Sequence, residues 1–196
     1  MPNKSQNLFV DYDIGMQRED AYSGPFVFSL TPMGKPTLLE LSQQYFDAAE
    51  SLVESIKKHQ IEDYKVGYPT LYLYRHSIEL ILKFITDSSE NTHKLDKLTQ
   101  SFIDYVSKHH NQPVPDWIKQ SLSELAKTDP TSTAFRYAED KYHGKKQPAS
   151  SVDDVYVYVV SFQSRMNELY KALCRVATYF AKTSTEQLIK EMVRGS

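Results

Sequence analysis

An arginine and a histidine in the second half of the chain have side chains that could bind phosphate and transfer a proton. Arg136 and His143 are separated by six residues, and Lys141 adds positive charge between them. Histidine titrates near neutral pH and can accept or donate a proton, whereas arginine offers fixed, planar donors to phosphate oxygens. Together, two such groups could bind a phosphate and transfer a proton beside it. The structural alternative is a solvated loop, with Arg136 anchored by a carboxylate and Phe135 filling the core.

A second set of charged residues falls in the most apolar segment of the chain. Arg75, Glu79 and Lys83 are spaced at i, i+4 and i+8, so they share one side of a helix. Buried charges need partners, which favours Glu79 and Lys83 as structural anchors. The alternative is a polar pocket that binds substrate, formed by Arg75, His76, His93 and Arg136.

Hydrophobic periodicity predicts that a helical bundle positions these residues. Apolar residues recur at spacings of three and four, and the predicted helices cover residues 38–59, 69–87, 94–108, 115–127 and 152–181, with a short last helix after Ser184. Thr37 and Glu40 match a capping box at the start of the first helix, and Pro69 suits the first residue of the second. The expected fold class is all-α, an antiparallel helical bundle.

The chain is expected to divide into an arm and a body. Residues 1–36 contain two short apolar runs among glycines and prolines, a pattern typical of an extended N-terminal arm. Residues 37–196 are expected to form the bundle. Residues 128–150 are predicted to be irregular, and segments of this length in compact domains often have a function.

Composition restricts the classes of function. The 196 residues include 23 Lys and Arg against 25 Asp and Glu, so no whole-protein cationic field attracts nucleic acid or anionic lipid. The single cysteine, Cys174, excludes an internal disulfide framework and is expected in the core. No His pair at i, i+4 marks a metal site, and no apolar run is long enough for a membrane span. We therefore expect a cytoplasmic protein with no metal, cofactor or membrane contact.

Three segments in sequence resemble the HEPN superfamily, the small helical domains found in prokaryotic toxins, defence systems and nucleotidyltransferase partners. Residues 74–83 (YRHSIELILK) are similar to the Arg-His, Glu-Leu and Leu-Lys pattern of the second helix in many HEPN-like proteins. Residues 92–98 (THKLDKL) are similar to the opening of their third helix, and residues 135–140 (FRYAED) to a segment that precedes the last long helix. The resemblance extends over residues 37–182.

The resemblance implies a ribonuclease. Catalytic HEPN ribonucleases have an Arg and a His separated by four to six residues, which assigns the catalytic roles to Arg136 and His143. It also implies a twofold homodimer that acts as a toxin or antiviral defence effector, with RNA as substrate and an antitoxin or other protein as a possible partner. The substrate-binding residues are then predicted to be Arg75, His76, His93 and Lys141.

Two other functions remain open. Tyr137 follows Arg136, where the family often has Asn, Asp or His. This departure favours a non-catalytic HEPN-like module that binds a partner protein, a nucleotide or RNA. A third interpretation is a structural helical subunit of a larger assembly, with residues 1–36 as its docking element.

Overall fold

The part of the chain that the structure describes is mainly helical. The computed structural model describes residues 35–87, 92–110, 113–130, 132–137, 139–140, 147–148 and 156–194. Within these ranges the helices are α1 (Leu38–Lys57), α2 (Asp63–Thr86), α3 (Leu95–His110), α4 (Asp116–Thr128), α5 (Ala134–Tyr137) and α6 (Val159–Arg194). Two-residue strands, β1 (Glu139–Asp140) and β2 (Gln147–Pro148), pair antiparallel between α5 and α6. The predicted all-α class is confirmed.

Helix α1 begins at the predicted capping box. The backbone N–H of Glu40 donates to Thr37 Oγ1 over 3.2 Å, and the backbone N–H of Thr37 donates to Glu40 Oε2 over 2.7 Å. Both contacts satisfy donors that the first turn leaves without helical partners. The buried face of α1 consists of Ser42, Phe46, Ala49 and Val53.

Helix α2 is the centre of the bundle, as its apolar composition predicts. It packs against α1, α3, α5 and α6. Its fully buried apolar side chains contribute about 1.5–3 kcal/mol each, which makes α2 the main source of core stability. The core combines residues of five helices: Phe46, Tyr74, Ile78, Ile81, Leu82, Ile85, Leu95, Leu98, Phe102, Ile118, Leu122, Leu169 and Leu173.

The prediction that α2 begins at Pro69 is wrong, because the helix begins six residues earlier at Asp63. Pro69 lies in the second turn, where its missing N–H removes one helical hydrogen bond. The neighbouring Val66 and Thr70 are buried, so tertiary contacts hold this part of the helix. Tertiary burial therefore overrides the local preference of proline for a helix start.

The last helix is also displaced from its prediction. Helix α6 begins at Val159, and residues 156–158 lie before it without regular structure. The opening run of valine and tyrosine has strand propensity, which agrees with a later helix start. Residues 152–155, at the start of the predicted helix, lie outside the described residues. The helix continues to Arg194, so the predicted separate helix after Ser184 is part of α6.

Three further predictions concern Arg136, the N-terminal arm and membrane spans. Arg136 belongs to the four-residue helix α5, which corrects its predicted place on a loop. The predicted arm over residues 1–36 remains a prediction, since only Lys35 and Pro36 fall within the described ranges. In the described ranges no helix combines the length and apolarity required to span a bilayer.

Candidate functional site

The site is organised around one buried carboxylate. Glu79 lies on α2 with no exposed side-chain surface, and Lys83 Nζ lies 3.0 Å from its Oε1. Arg75 Nη1 lies 3.1 Å from the other oxygen, Oε2. The spacing of four residues places Arg75 and Lys83 one turn to either side of Glu79 on the same side of the helix. The predicted structural anchoring of Glu79 and Lys83 agrees with this geometry.

Arg75 joins three segments of the chain. Its Nη2 donates to the backbone oxygen of His93 over 2.9 Å, just before α3. Its Nε donates to the backbone oxygen of Asp129 over 3.2 Å and lies 3.3 Å from Asp129 Oδ2. The Arg75 side chain is 0% exposed, and these contacts engage its donors with protein groups. The structure thus gives Arg75 an anchoring role, and its role as a substrate-binding residue stays a prediction.

Asp129 connects the buried Arg75 to the short helix that carries Arg136. Its Oδ1 accepts hydrogen bonds from the backbone N–H groups of Thr133, over 2.9 Å, and Ala134, over 3.0 Å. These donors lie at the start of α5, so the carboxylate fixes the short helix that carries Arg136. The buried ion pair on α2 therefore determines where Arg136 reaches the surface.

The environment of Glu79 keeps its carboxylate charged. Burial on its own would raise the pKa of Glu79, but contacts with His76, Lys83 and His93 outweigh burial and hold that pKa well below its usual range. Glu79 is therefore an acceptor at neutral pH and can orient any ring N–H that approaches it.

Aromatic rings and Arg136 meet at the surface above this carboxylate. The ring of Tyr72 stacks on the ring of His76, with centroids 5.5 Å apart and an angle of 9°. Tyr45 of α1 meets His76 edge-on at 4.6 Å. The guanidinium carbon of Arg136 lies 5.7 Å from the centroid of Tyr72, a cation–π arrangement, and Arg136 Nε donates to the backbone oxygen of Ser132.

The two histidines of the site differ in their relation to Glu79. His76 Nδ1 lies 3.9 Å from Oε2, and its side chain is 19% exposed. His93 Nδ1 lies 2.8 Å from Oε1, at hydrogen-bonding distance, and its side chain is 53% exposed. Both rings therefore lie against one carboxylate, and His93 is the better oriented and the more accessible of the two.

We call the surface formed by Tyr45, Tyr72, His76, His93 and Arg136 the Tyr72 face. Its contacts run from Arg136 to Tyr72, then to His76, and from there through Glu79 to His93. Aromatic rings can stack on bases, a guanidinium can bind a phosphate, and imidazoles can transfer protons. The face thus combines the groups that recognition and cleavage of a single-stranded nucleic acid require.

The structure brings together most of the residues that the sequence singled out. His76, His93 and Arg136 belong to the Tyr72 face, with Arg75 beneath it. His143 and Lys141 lie outside the described residues, so the distance from Arg136 to His143 remains a prediction. The analysis of the sequence missed Tyr45 and Tyr72; the spacing of four between Tyr72 and His76 was the available signal.

The bundle also carries a concave groove. A groove of about 470 Å³ is formed by the end of α1, the start of α2 and the start of α6. Its described lining is mainly apolar and aromatic and contains no His, Lys or Arg. The described lining includes Asp63 but no cationic side chain that could bind a phosphate, so the Tyr72 face is the better candidate for chemistry on a nucleic acid.

Two further features exclude simpler sites in the described ranges. No group of three or more His, Cys, Asp and Glu residues is arranged there to hold a metal ion. Cys174 is half-buried against the core, and burial raises the pKa of its thiol, which agrees with a packing role rather than a nucleophilic one.

Comparison with known proteins adds no relative. No protein-family model matches the chain, and no match is found among the curated proteins or the solved structures. A function for this chain is therefore inferred from the residues of the Tyr72 face and not from a related protein.

Proposed function

We propose that this chain is a HEPN-like, metal-independent endoribonuclease that binds single-stranded RNA across the Tyr72 face and acts as a toxin or defence effector. The observation that carries the proposal is the position of Arg136. Its exposed guanidinium lies over Tyr72, next to a histidine that packs on the same ring. A phosphate bound by Arg136 would place the adjoining base within reach of the aromatic rings.

The chemistry follows from the residue types. Arg136 would neutralise charge on the non-bridging phosphate oxygens, where its planar fork suits bidentate contact. His143 supplies proton transfer in this proposal, since a positioned histidine contributes typically about 10²–10⁴-fold to rate. Attack by the 2′-hydroxyl would leave a 2′,3′-cyclic phosphate and a 5′-hydroxyl.

The experiment is incubation of the full chain with total RNA in EDTA. We expect cleavage in EDTA, with cyclic-phosphate ends, and loss of cleavage in His143→Ala. His109→Ala is the matched control, because His109 is an exposed residue at the end of α3 that packs on Tyr105. Cleavage that survives in His143→Ala, or that disappears in EDTA and returns with magnesium, would overturn the proposal.

A homodimer belongs to the same proposal. A second copy related by a twofold axis would bring a second Arg136 and His143 to one cleft. Light scattering at micromolar concentration should then give twice the mass of the chain, and a monomer mass would exclude the dimer.

A second function is a non-catalytic module that binds RNA or a nucleotide. The observation that favours it is the cluster of aromatic rings, in which Tyr72 stacks on His76 and Tyr45 meets His76 edge-on, because aromatic rings bind bases without any proton transfer. A labelled 2′-O-methyl oligoribonucleotide tests this function, since it cannot undergo attack by a 2′-hydroxyl. Binding of this probe without cleavage of the matching unmodified RNA would favour the module over the ribonuclease.

A further inference from the structure

We infer that His93 is the proton acceptor in this site, with its ring oriented by Glu79; the inference rests on the proposed ribonuclease function and extends it. The sequence places His93 among the substrate-binding residues, and neither the resemblance nor the proposal above gives it a role in proton transfer. The inference depends on three features of His93: its hydrogen bond, its exposure and its rigid support.

The hydrogen bond defines which ring nitrogen of His93 is available. An ionised carboxylate only accepts hydrogen bonds, so Nδ1, at 2.8 Å from Glu79 Oε1, must carry the proton of that bond. In the neutral ring the other nitrogen, Nε2, is then the acceptor. The carboxylate therefore fixes the tautomer of the ring and leaves Nε2 as the nitrogen that can accept a proton.

The exposure of His93 makes Nε2 useful to a substrate. The His93 side chain is 53% exposed, although its partner Glu79 is fully buried. Among the histidine side chains that the structure describes, this is the ring with a nitrogen at hydrogen-bonding distance from a carboxylate. His59 and His109, which are also exposed, make no such contact in the described residues.

Hydrogen bonds restrain both the main chain and the ring of His93. Arg75 donates to its backbone oxygen over 2.9 Å, which fixes the position of the residue. The carboxylate that orients the ring is itself bonded to Arg75 and Lys83. A general base must be held in a productive geometry, and this arrangement restrains both the main chain and the ring of His93.

In the inferred step, one bond from oxygen to phosphorus forms while another breaks, and each proton has a donor and an acceptor. Nε2 of His93 takes the proton of the 2′-hydroxyl, the 2′-oxygen forms a bond to phosphorus, and the bond from phosphorus to the 5′-oxygen breaks. The departing 5′-oxygen takes a proton from a general acid, the role that the proposed function gives to His143, and Arg136 binds the non-bridging oxygens. The proton on His93 is then released to solvent.

The test uses His93→Asn, because the asparagine amide can still donate to Glu79 from the position of Nδ1 but has no basic nitrogen. We expect His93→Asn to lose cleavage of unmodified RNA in EDTA by about 10²–10⁴-fold, while it keeps the wild-type midpoint of urea unfolding and binding of the 2′-O-methyl probe. His109→Asn is the matched control and should cleave like the wild type. A purely structural His93 would instead be rescued by asparagine.

A second measurement does not depend on cleavage. Nitrogen-15 NMR of the His93 ring should show the proton on Nδ1 and none on Nε2 in the neutral form. The proton on Nε2 would overturn the inference, as would wild-type cleavage by His93→Asn. If His93→Asn loses probe binding but still cleaves bound RNA at the wild-type rate, His93 is a substrate-binding residue and not the proton acceptor. A wild-type chain that cleaves no RNA would overturn the proposed function and this inference together, whereas the other outcomes affect the inference alone.

Discussion

Arg75 and Glu79 form an ion pair of 3.1 Å between two side chains that are both fully buried, one helical turn apart on α2. Removing two charges from water costs several kcal/mol for each ion, and their attraction does not by itself make the fold more stable than an apolar pair would. The pair instead holds other parts of the molecule in place. Through Asp129 it fixes α5, and through the carboxylate of Glu79 it orients His93.

The first prediction concerns removal of the buried guanidinium. Arg75→Met would leave Glu79 and Asp129 without their central cation, and breaking a buried pair in this way costs about 3–5 kcal/mol. Urea unfolding should show that decrease in the free energy of unfolding. Lys97→Met, an exposed change on α3, is the control and should stay within about 0.5 kcal/mol of the wild type. Equal effects of the two changes would contradict the anchoring role of Arg75.

The second prediction concerns acid stability. Contacts with His76, Lys83 and His93 hold the pKa of Glu79 below its usual range in the folded protein, against the effect of burial. A lowered pKa contributes stability that is present above the pKa of the unfolded chain, about 4.3, and is lost as pH falls through the folded-state value. Urea unfolding between pH 6 and pH 2 should therefore show a weaker acid dependence in Glu79→Gln than in the wild type. An identical dependence would contradict the lowered pKa.

The third prediction concerns the contact between α1, α2 and α6. The hydroxyl of Tyr74 donates to Glu50, which also accepts from Gln163 over 2.9 Å and Asn167 over 3.0 Å. A hydrogen bond to a charged group contributes about 1.5–3 kcal/mol, so Tyr74→Phe should lower the free energy of unfolding by that amount. Tyr64→Phe, at an exposed position of α2, should have little effect.

The same tyrosine predicts a response to alkaline pH. Burial, followed by the hydrogen bond to Glu50, raises the pKa of Tyr74 above its usual value. A raised pKa contributes stability that is present below the unfolded-state value, near 10, and is lost as pH rises through the folded-state value. The stability difference between wild type and Tyr74→Phe should therefore persist at neutral pH and shrink only above about pH 10.

Parts of the fold could be predicted from the sequence because their signals are local. Thr37 and Glu40 satisfy each other's backbone, so the start of α1 needs no information from the rest of the chain. The start of α2 could not be predicted in this way, because burial of Val66 outweighs the preference of Pro69 for a helix start. That burial depends on neighbouring helices, which periodicity along one segment does not describe.

The candidate site also contains both residues that the sequence could predict and residues that it could not. The spacing of Arg75, Glu79 and Lys83 predicts an ion-pair ladder, which the structure confirms. Asp129 could not be identified, since it reaches Arg75 from the end of another helix and nothing in its local sequence marks that contact. The ring of Tyr72 was missed for a different reason: tyrosine is frequent in this chain, so composition alone did not separate a stacking residue from a packing one.

The fourth prediction concerns the aromatic platform. Tyr72 stacks on His76 and lies beneath Arg136, so Tyr72→Leu would remove the ring that holds both groups. Stacking of a base on an aromatic side chain contributes about 1–3 kcal/mol, and affinity for the 2′-O-methyl probe should fall by about 5–150-fold. Fluorescence anisotropy measures this change. Trp117→Leu, at an exposed aromatic residue of α4, is the control, and an equal loss there would show that binding is not located on the Tyr72 face.

The last prediction concerns the planar fork of Arg136. Arg136→Lys keeps the positive charge beside Tyr72 but loses the bidentate donors, so cleavage in EDTA should fall severely while probe binding weakens less. The change should leave the midpoint of urea unfolding near the wild-type value, because the Arg136 side chain is exposed and α5 is held independently by Asp129. Lys127→Arg, an exposed and opposite exchange on α4, is the control and should alter neither property. If Arg136→Lys cleaves RNA like the wild type, charge alone is sufficient at this position, and the bidentate phosphate contact is excluded.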